Sequence, residues 1–236
     1  LAVGSDNRTA TYTSGNNSTQ LVFRYTIRAV DTDSDGISIL GDTLALNGST
    51  IKDAALNDAI LTHSAWSTNY AYIVDNTPPT VSSVAITSVP TGRVQYNFLN
   101  AGDVAEVTTT FNEVFPSSVI VDNPSAATLT LVVGSTNRAA TYASGSNSTP
   151  PSVSDNSSLV FEYTIQATGT SGENDDDGIS IGANALALNS GTIRDRAGNI
   201  ATDITHSAVS DNSSYIVDTT LPTVSSVAIT GEDGIQ

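Results

Sequence analysis

The chain has 236 residues, no cysteine, and a formal net charge of −16 with a pI near 4.1. Disulfides and thiolate chemistry are excluded, and the charge argues against nucleic acid and anionic membrane surfaces, whose binding needs Lys and Arg. With 39% hydrophobic, 6% aromatic and 14% charged residues, it reads as a lean, β-rich chain long enough for one or two cored domains.

The predicted elements are short alternating segments. Leu1–Gly15 (LAVGSDNRTATYTSG), Leu21–Ile27 (LVFRYTI), Asp35–Ile39 (DGISI) and Leu44–Asp53 (LALNGSTIKD) come first as segments that recur later in the chain, and the strands are read in the later copy. VSSVAIT at Val81–Thr87 turns Val81, Val84 and Ile86 toward apolar surroundings, with a phase shift at Ser82–Ser83. Strands are then expected at Val104–Phe111, Thr128–Gly134, Arg138–Ser144, Leu159–Ala167, Gly178–Ile181, Leu186–Asn189, Gly191–Asp195, Ile204–Val209 and Ser214–Asp218. Leu159, Phe161, Tyr163 and Ile165 share one face of the clearest of them. Turn formers separate the segments at Asn100–Asp103, Gly134–Asn137, Ser190–Gly191 and Ala197–Asn199. Many strands between such turns, with no helical period, predict an all-β, antiparallel β-sandwich.

The string PTVSSVAIT occurs at Pro79–Thr87 and again, 143 residues on, at Pro222–Thr230. Self-similarity at a fixed period marks a tandem array. Leu1–Gly15 matches Leu131–Gly145 at an offset of 130, Leu21–Ile27 matches Leu159–Ile165 at 138, and Leu44–Asp53 matches Leu186–Asp195 at 142. From Thr62 and Thr205 onward the offset is 143. The steps fall in stretches rich in Ser, Asn, Gly, Asp or Pro, such as Ser148–Ser158, as expected for a shared strand scaffold with variable loops. Residues 1–79 are thus the later part of one repeat, without counterparts of Val81–Thr130. Residues 80–222 are a whole repeat, and residues 223–236 the first strand of another. The missing strands are expected either from elsewhere or as a consequence of fragment boundaries, and the lack of an initiator Met favours a fragment or processed chain. Pro78, Pro79 and Pro222, each close behind a Val-Asp pair, predict stiff, extended junctions.

Several strings together resemble the bacterial immunoglobulin-like repeats of very large surface-exposed and secreted proteins, including RTX-type adhesins. They are NAGD and TTTFNE within Asn100–Glu113, the NR-x-ATY and LVF-x-YTI segments, DGISI, LALN, TI-(K/R)-D-x-A, and THSA with YIVD before PTVSSVAIT. The resemblance covers essentially the whole chain. It implies tandem immunoglobulin-like sandwiches forming an extracellular spacer, cell-surface or filament module, often stiffened by calcium.

Asp31, Asp33 and Asp35 alternate before Gly36, with Asp42 twelfth counted from Asp31, so three carboxylates can converge on one hard cation. The absence of flanking helices argues against an EF-hand. Glu173, Asp175 and Asp177 repeat the pattern, with Asn184 in the place of Asp42. The plainer alternative is a solvated acidic turn. A second possible calcium site gathers Asp75 and Asp218 beside the Pro turns, Asp195 and Asn199 of DRAGN, and Asp103 and Glu113, if their loops share a pole; Asp53 and Asn57 are the first-copy counterparts of DRAGN. Capping and turn hydrogen bonding is the alternative there.

Catalysis is not expected. His63 and His206, the two histidines, occur once per repeat in the same Thr-His-Ser-Ala context and read as scaffold, and nothing orients a nucleophile or an acid–base pair. Trp66, replaced by Val209 in the second copy, reads as local packing. The sequons at Asn7, Asn17, Asn147, Asn156 and Asn212 are what a Ser/Thr/Asn-rich chain yields by chance. The leading expectation is a calcium-stiffened stalk or filament module of an extracellular bacterial surface protein. Its partners would be neighbouring repeats of the same or identical chains, with a cell-surface or glycan target bound through other domains. The alternative is a filament subunit polymerising by β-strand complementation, with the C-terminal strand as donor. A lectin-like or ice-binding face is a third class, on the faint hint of Val107–Phe111. No apolar run reaches the length of a membrane span.

Overall fold

A period of two along VAEVTTTF places every second side chain on one side, and that side is the core. In the computed structural model, Ala105, Val107, Thr109 and Phe111 are buried while the residues between them are half-buried. The structure describes residues 1–87, 98–113, 118–145, 157–167 and 173–229. They divide into two units, Leu1–Thr77 and Pro78–Gln236. Most of the Ser148–Ser158 insertion, the sequons Asn147 and Asn156, and Thr230–Gln236 lie outside the described residues.

The first unit holds β1 (Ala2–Val3), β2 (Asp6–Asn7), β3 (Thr11–Ser14) and β4 (Val22–Arg24), followed by chain that is mostly bridged rather than laddered, and a single 3-10 turn at Tyr70–Tyr72. β1 pairs with β2 and β3 with β4, both antiparallel. The second unit holds β5 (Val81–Ile86), β6 (Phe98–Leu99), β7 (Val104–Phe111), β8 (Ile120–Asp122), β9 (Thr128–Val133), β10 (Thr136–Gly145), β11 (Ser158–Thr164), β12 (Ser180–Ala187), β13 (Thr192–Arg194) and β14 (Ile216–Val217).

Six of these form one antiparallel sheet in the order β12-β9-β10-β11-β7-β5. β13 pairs antiparallel with β8, and β14 pairs parallel with β6. Among the described residues 3% are helical against 38% strand, so the fold is all-β. The core of the second unit is Leu99, Val107, Val121, Leu129, Leu131, Leu159, Phe161, Ile165, Ile181 and Ile193, drawn from both the large sheet and its smaller partners.

Local sequence explains several details. The phase break at Ser82–Ser83 is a register shift between Val81 and Ser83 against β7. Gly178–Ile181 and Leu186–Asn189, expected as separate strands, are joined in β12, and the excess residues appear as a register shift between Ile181 and Leu186 against β9. Tyr163, expected on the core face with Leu159, Phe161 and Ile165, is half-buried, because its hydroxyl is drawn toward Glu173. Ile204–Val209 makes no ladder; Val209 alone bridges to Ile181. Val81–Ile86 is a strand because β7 holds it, whereas the same sequence at Val224–Ile229 is not, and Val224, Val227 and Ile229 stand exposed.

Candidate functional site

Both units contain the same clasp. The β1–β2 turn at Gly4 and the β9–β10 turn at Gly134 each point a backbone N–H at a carboxylate from the acidic segment. Gly4 N–H donates to Asp33 Oδ2 and Gly36 N–H to Asp33 Oδ1, each at 2.7 Å. In the second unit Gly134 N–H and Gly178 N–H donate to the two oxygens of Asp175 at 2.7 and 2.8 Å. Gly178 has φ +98°, and a Cβ there would stand 2.0 Å from the Asn212 carbonyl oxygen, so only glycine fits.

The carboxylate two residues earlier is tied to a different set. Asp31 accepts hydrogen bonds from Arg8 Nε (2.8 Å), the Tyr25 hydroxyl (2.6 Å) and the Arg28 backbone N–H (2.7 Å). Glu173 receives the Tyr163 hydroxyl and the Gln166 N–H, and pairs with Arg138 Nε at 2.6 Å. Asp31, Asp33, Glu173 and Asp175 are all at least 96% buried. Buried carboxylates are tolerated when charge and hydrogen bonds compensate their lost hydration. Burial pushes the Asp31 carboxyl up, but the hydrogen bonds from Tyr25, Arg28 and Arg8, with the charge of Arg8, outweigh it and hold the group below the usual carboxylate value. Burial, and then the neighbouring Asp177, push Asp175 upward. Burial, with the Glu173 carboxylate against its hydroxyl, raises Tyr163 to about 12.

Among the described residues the three alternating carboxylates of each acidic segment do not gather at one point, although Asp177 lies against Asp175. The first two of each set face inward to separate protein donors, while Asp35 and Asp177 are exposed. Asp42 and Asn184, both at positive φ, accept the N–H of His63 and His206 at 2.8 and 2.9 Å. Each imidazole in turn accepts a backbone N–H at Nε2, from Thr43 at 3.0 Å and from Ala185 at 2.8 Å. Each Nδ1 lies 2.9 or 2.8 Å from the carbonyl of the next serine, so Nδ1 carries the proton. Trp66 bridges Ile39 through two backbone hydrogen bonds and meets Tyr72 edge-on at 5.6 Å between ring centroids.

Of the second set, the two expected partners Glu113 and Asp195 are brought together within the second unit. Both are buried and offer carboxylate oxygens within 4.8 Å of each other. Asn199 completes the Asp195 turn, its backbone N–H and Nδ2 donating to Asp195 at 2.8 and 2.6 Å. Asp53 and Asn57 make the same turn in the first unit, with Asp53 exposed. Asp103 accepts the Asn100 N–H at 2.8 Å. Asp75 and Asp218 each accept the N–H two residues on, from Thr77 and Thr220, at 2.9 Å.

Sequence reasoning missed the arginine and tyrosine of the clasp. The signal was present: in a chain with only eight Lys and Arg residues, Arg8 and Arg138 occupy the same repeat position, as do Tyr25 and Tyr163. Compared with known proteins, the chain matches no family, no curated protein and no solved structure. Among the described residues no helix is long and apolar enough to cross a membrane.

Proposed function

We propose that the chain is a run of tandem immunoglobulin-like β-sandwich repeats, serving as a structural and adhesive stalk module of an extracellular bacterial surface protein and stiffened by calcium. The observation that carries this reading is the clasp itself. Arg8, Tyr25, Asp31, Asp33, Gly4 and Gly36 recur as Arg138, Tyr163, Glu173, Asp175, Gly134 and Gly178; the tyrosine and glycine donors meet the same acceptors, and Arg138 faces Glu173 as an ion pair without the hydrogen bond that Arg8 makes. What recurs is a device that ties a turn to a strand, which a load-bearing spacer needs and a reactive site does not. Proline at the repeat junction limits backbone freedom there and suits a stiff rod. The acidic surface keeps a long array soluble and self-repelling.

Calcium is assigned to the second unit at Glu113 and Asp195, with Asn199 holding the Asp195 turn. Two buried carboxylates this close favour a cation between them, and carboxylate oxygens carry more than one lone pair with which to bind it. Thermal unfolding of the full chain by circular dichroism, with small-angle scattering, in calcium and after chelation, tests the assignment. Chelation should lower the melting temperature by several degrees, and Glu113→Gln should erase the difference. Melting and scattering curves indifferent to chelation would remove calcium from the proposal.

A further inference from the structure

The two units differ in what covers the sheet face carrying the LVF-x-YTI strand. Leu159 and Phe161 of β11 are fully buried, whereas their first-unit counterparts Leu21 and Phe23 are 37% and 39% exposed. Tyr12 and Phe23 meet edge-on, 5.9 Å between centroids, on the wall of an open groove of about 860 Å³ that Leu44, Leu46 and Ile51 also line. The counterparts of Leu44 and Ile51, Leu186 and Ile193, are buried. In the second unit the cover comes from the Val81–Thr130 half: β7 pairs with β11, and β8 pairs with β13. β11 has β10 on one side and β7 on the other, while β4 pairs among the described residues with β3 alone.

Charge gives this edge a preference. In the β7–β11 ladder Glu106 stands directly opposite Glu162, and like charges in that position destabilise a sheet. The first unit has Arg24 at the position of Glu162, exposed on β4. A β7-type strand laid on β4 in the same register would set its acidic residue opposite a guanidinium.

We propose that this face of the first unit is a docking surface for a half-repeat of the Val81–Thr130 kind, entering by a β7-type strand on the open edge of β4, and that Arg24 selects an acidic residue at the Glu106 position. The inference rests on the repeat reading above. It is a strand addition, in which backbone hydrogen bonds give affinity and the facing side chains give specificity. The exposed Val224–Ile229 segment is not the entering element. It copies β5, which sits at the sheet edge against β7 and is separated from β11 by it.

The test titrates the full chain with a polypeptide of residues 79–130 of its own sequence, reading Trp66 emission and sedimentation. The only tryptophan lies in the first unit and none lies in the added segment. Saturable one-to-one binding is expected. Arg24→Glu should weaken it about tenfold, and a Glu106→Arg segment should restore binding to that variant. Failure of the segment to bind, binding indifferent to Arg24→Glu, or equal binding by a peptide of residues 223–236 would each overturn the proposal. A second measurement avoids the solubility of an isolated segment. Residues 79–130 are attached ahead of Leu1, reproducing the Thr130–Leu131 link, and the guanidinium midpoint of Trp66 emission should rise, less so with Arg24→Glu. An unchanged midpoint overturns the proposal. Such failures leave the repeat reading intact, because calcium dependence and scattering are measured on the unmodified chain.

Discussion

At the scale of single residues, the carboxylates of the clasp behave as structural groups with opposite acid responses. Asp31 has a native pKa below its unfolded value, so its ionised form contributes stability at neutral pH, and that contribution fades as pH falls through the native pKa. The penalty of Asp31→Asn, followed by Trp66 emission in denaturant, should therefore be largest at pH 7 and shrink below about pH 4. A penalty constant across that range would contradict the clasp geometry. Arg138 shows where the second copy is less complete. Arg8 Nη2 has Asp6 at 2.7 Å, but Thr136 stands at that repeat position, and the buried Arg138 Nη2 has no hydrogen-bond partner among the described residues. Thr136→Asp should stabilise the second unit by about 0.5 kcal/mol, the value of a partly exposed ion pair. Equilibrium unfolding by circular dichroism measures this, and a loss of stability would show the second carboxylate to be unwelcome. The acidic segments were conspicuous in the sequence, but their inward orientation was not. Spacing says which residues share a side, while the donors at Gly4, Arg8 and Tyr25 lie in distant segments that only the fold brings near.

At the scale of elements, β7, β9 and β11 were legible because alternation marks a buried face, although β11 ends at Thr164, short of the expected Ala167. The segment Ile204–Val209 has the apolar content of a strand and does not become one. His206 spends its ring on the Ala185 N–H and the Ser207 carbonyl, so a side chain takes over the tie that a ladder would have made to β12. Propensity carries no information about such a substitution of side chain for backbone. His206→Ala should then cost about 1 kcal/mol and raise amide exchange at Ala185 and Leu186, while Thr205→Ala, one residue away, should leave that exchange unchanged. Equal protection of both amides in His206→Ala would place the tie elsewhere. The identical strings at Val81–Ile86 and Val224–Ile229 make the same point from another side. One is a strand and the other is not, because strand identity belongs to the pair and not to the sequence alone.

At the scale of the whole molecule, the two units bury their faces to different extents, and their stabilities should differ accordingly. Leu21, Phe23 and Tyr12 keep much of their surface in water, so their transfer contributes less than that of Leu159 and Phe161. In a guanidinium titration Trp66 emission, which reports on the first unit, should move before most of the far-ultraviolet dichroism. Coincident transitions would mean that the units unfold as one. The clasp, finally, sets the grain along which such a gene can be cut. Its members span Gly4 to Gly36 in one copy and Gly134 to Gly178 in the other, and none lies within Pro79–Thr130. Unequal recombination with a breakpoint in that interval passes every clasp on whole, whereas one between Gly134 and Gly178 joins halves from different copies. Joining two copies within residues 79–130 would therefore leave each clasp intact, whatever it did to the strands of that interval.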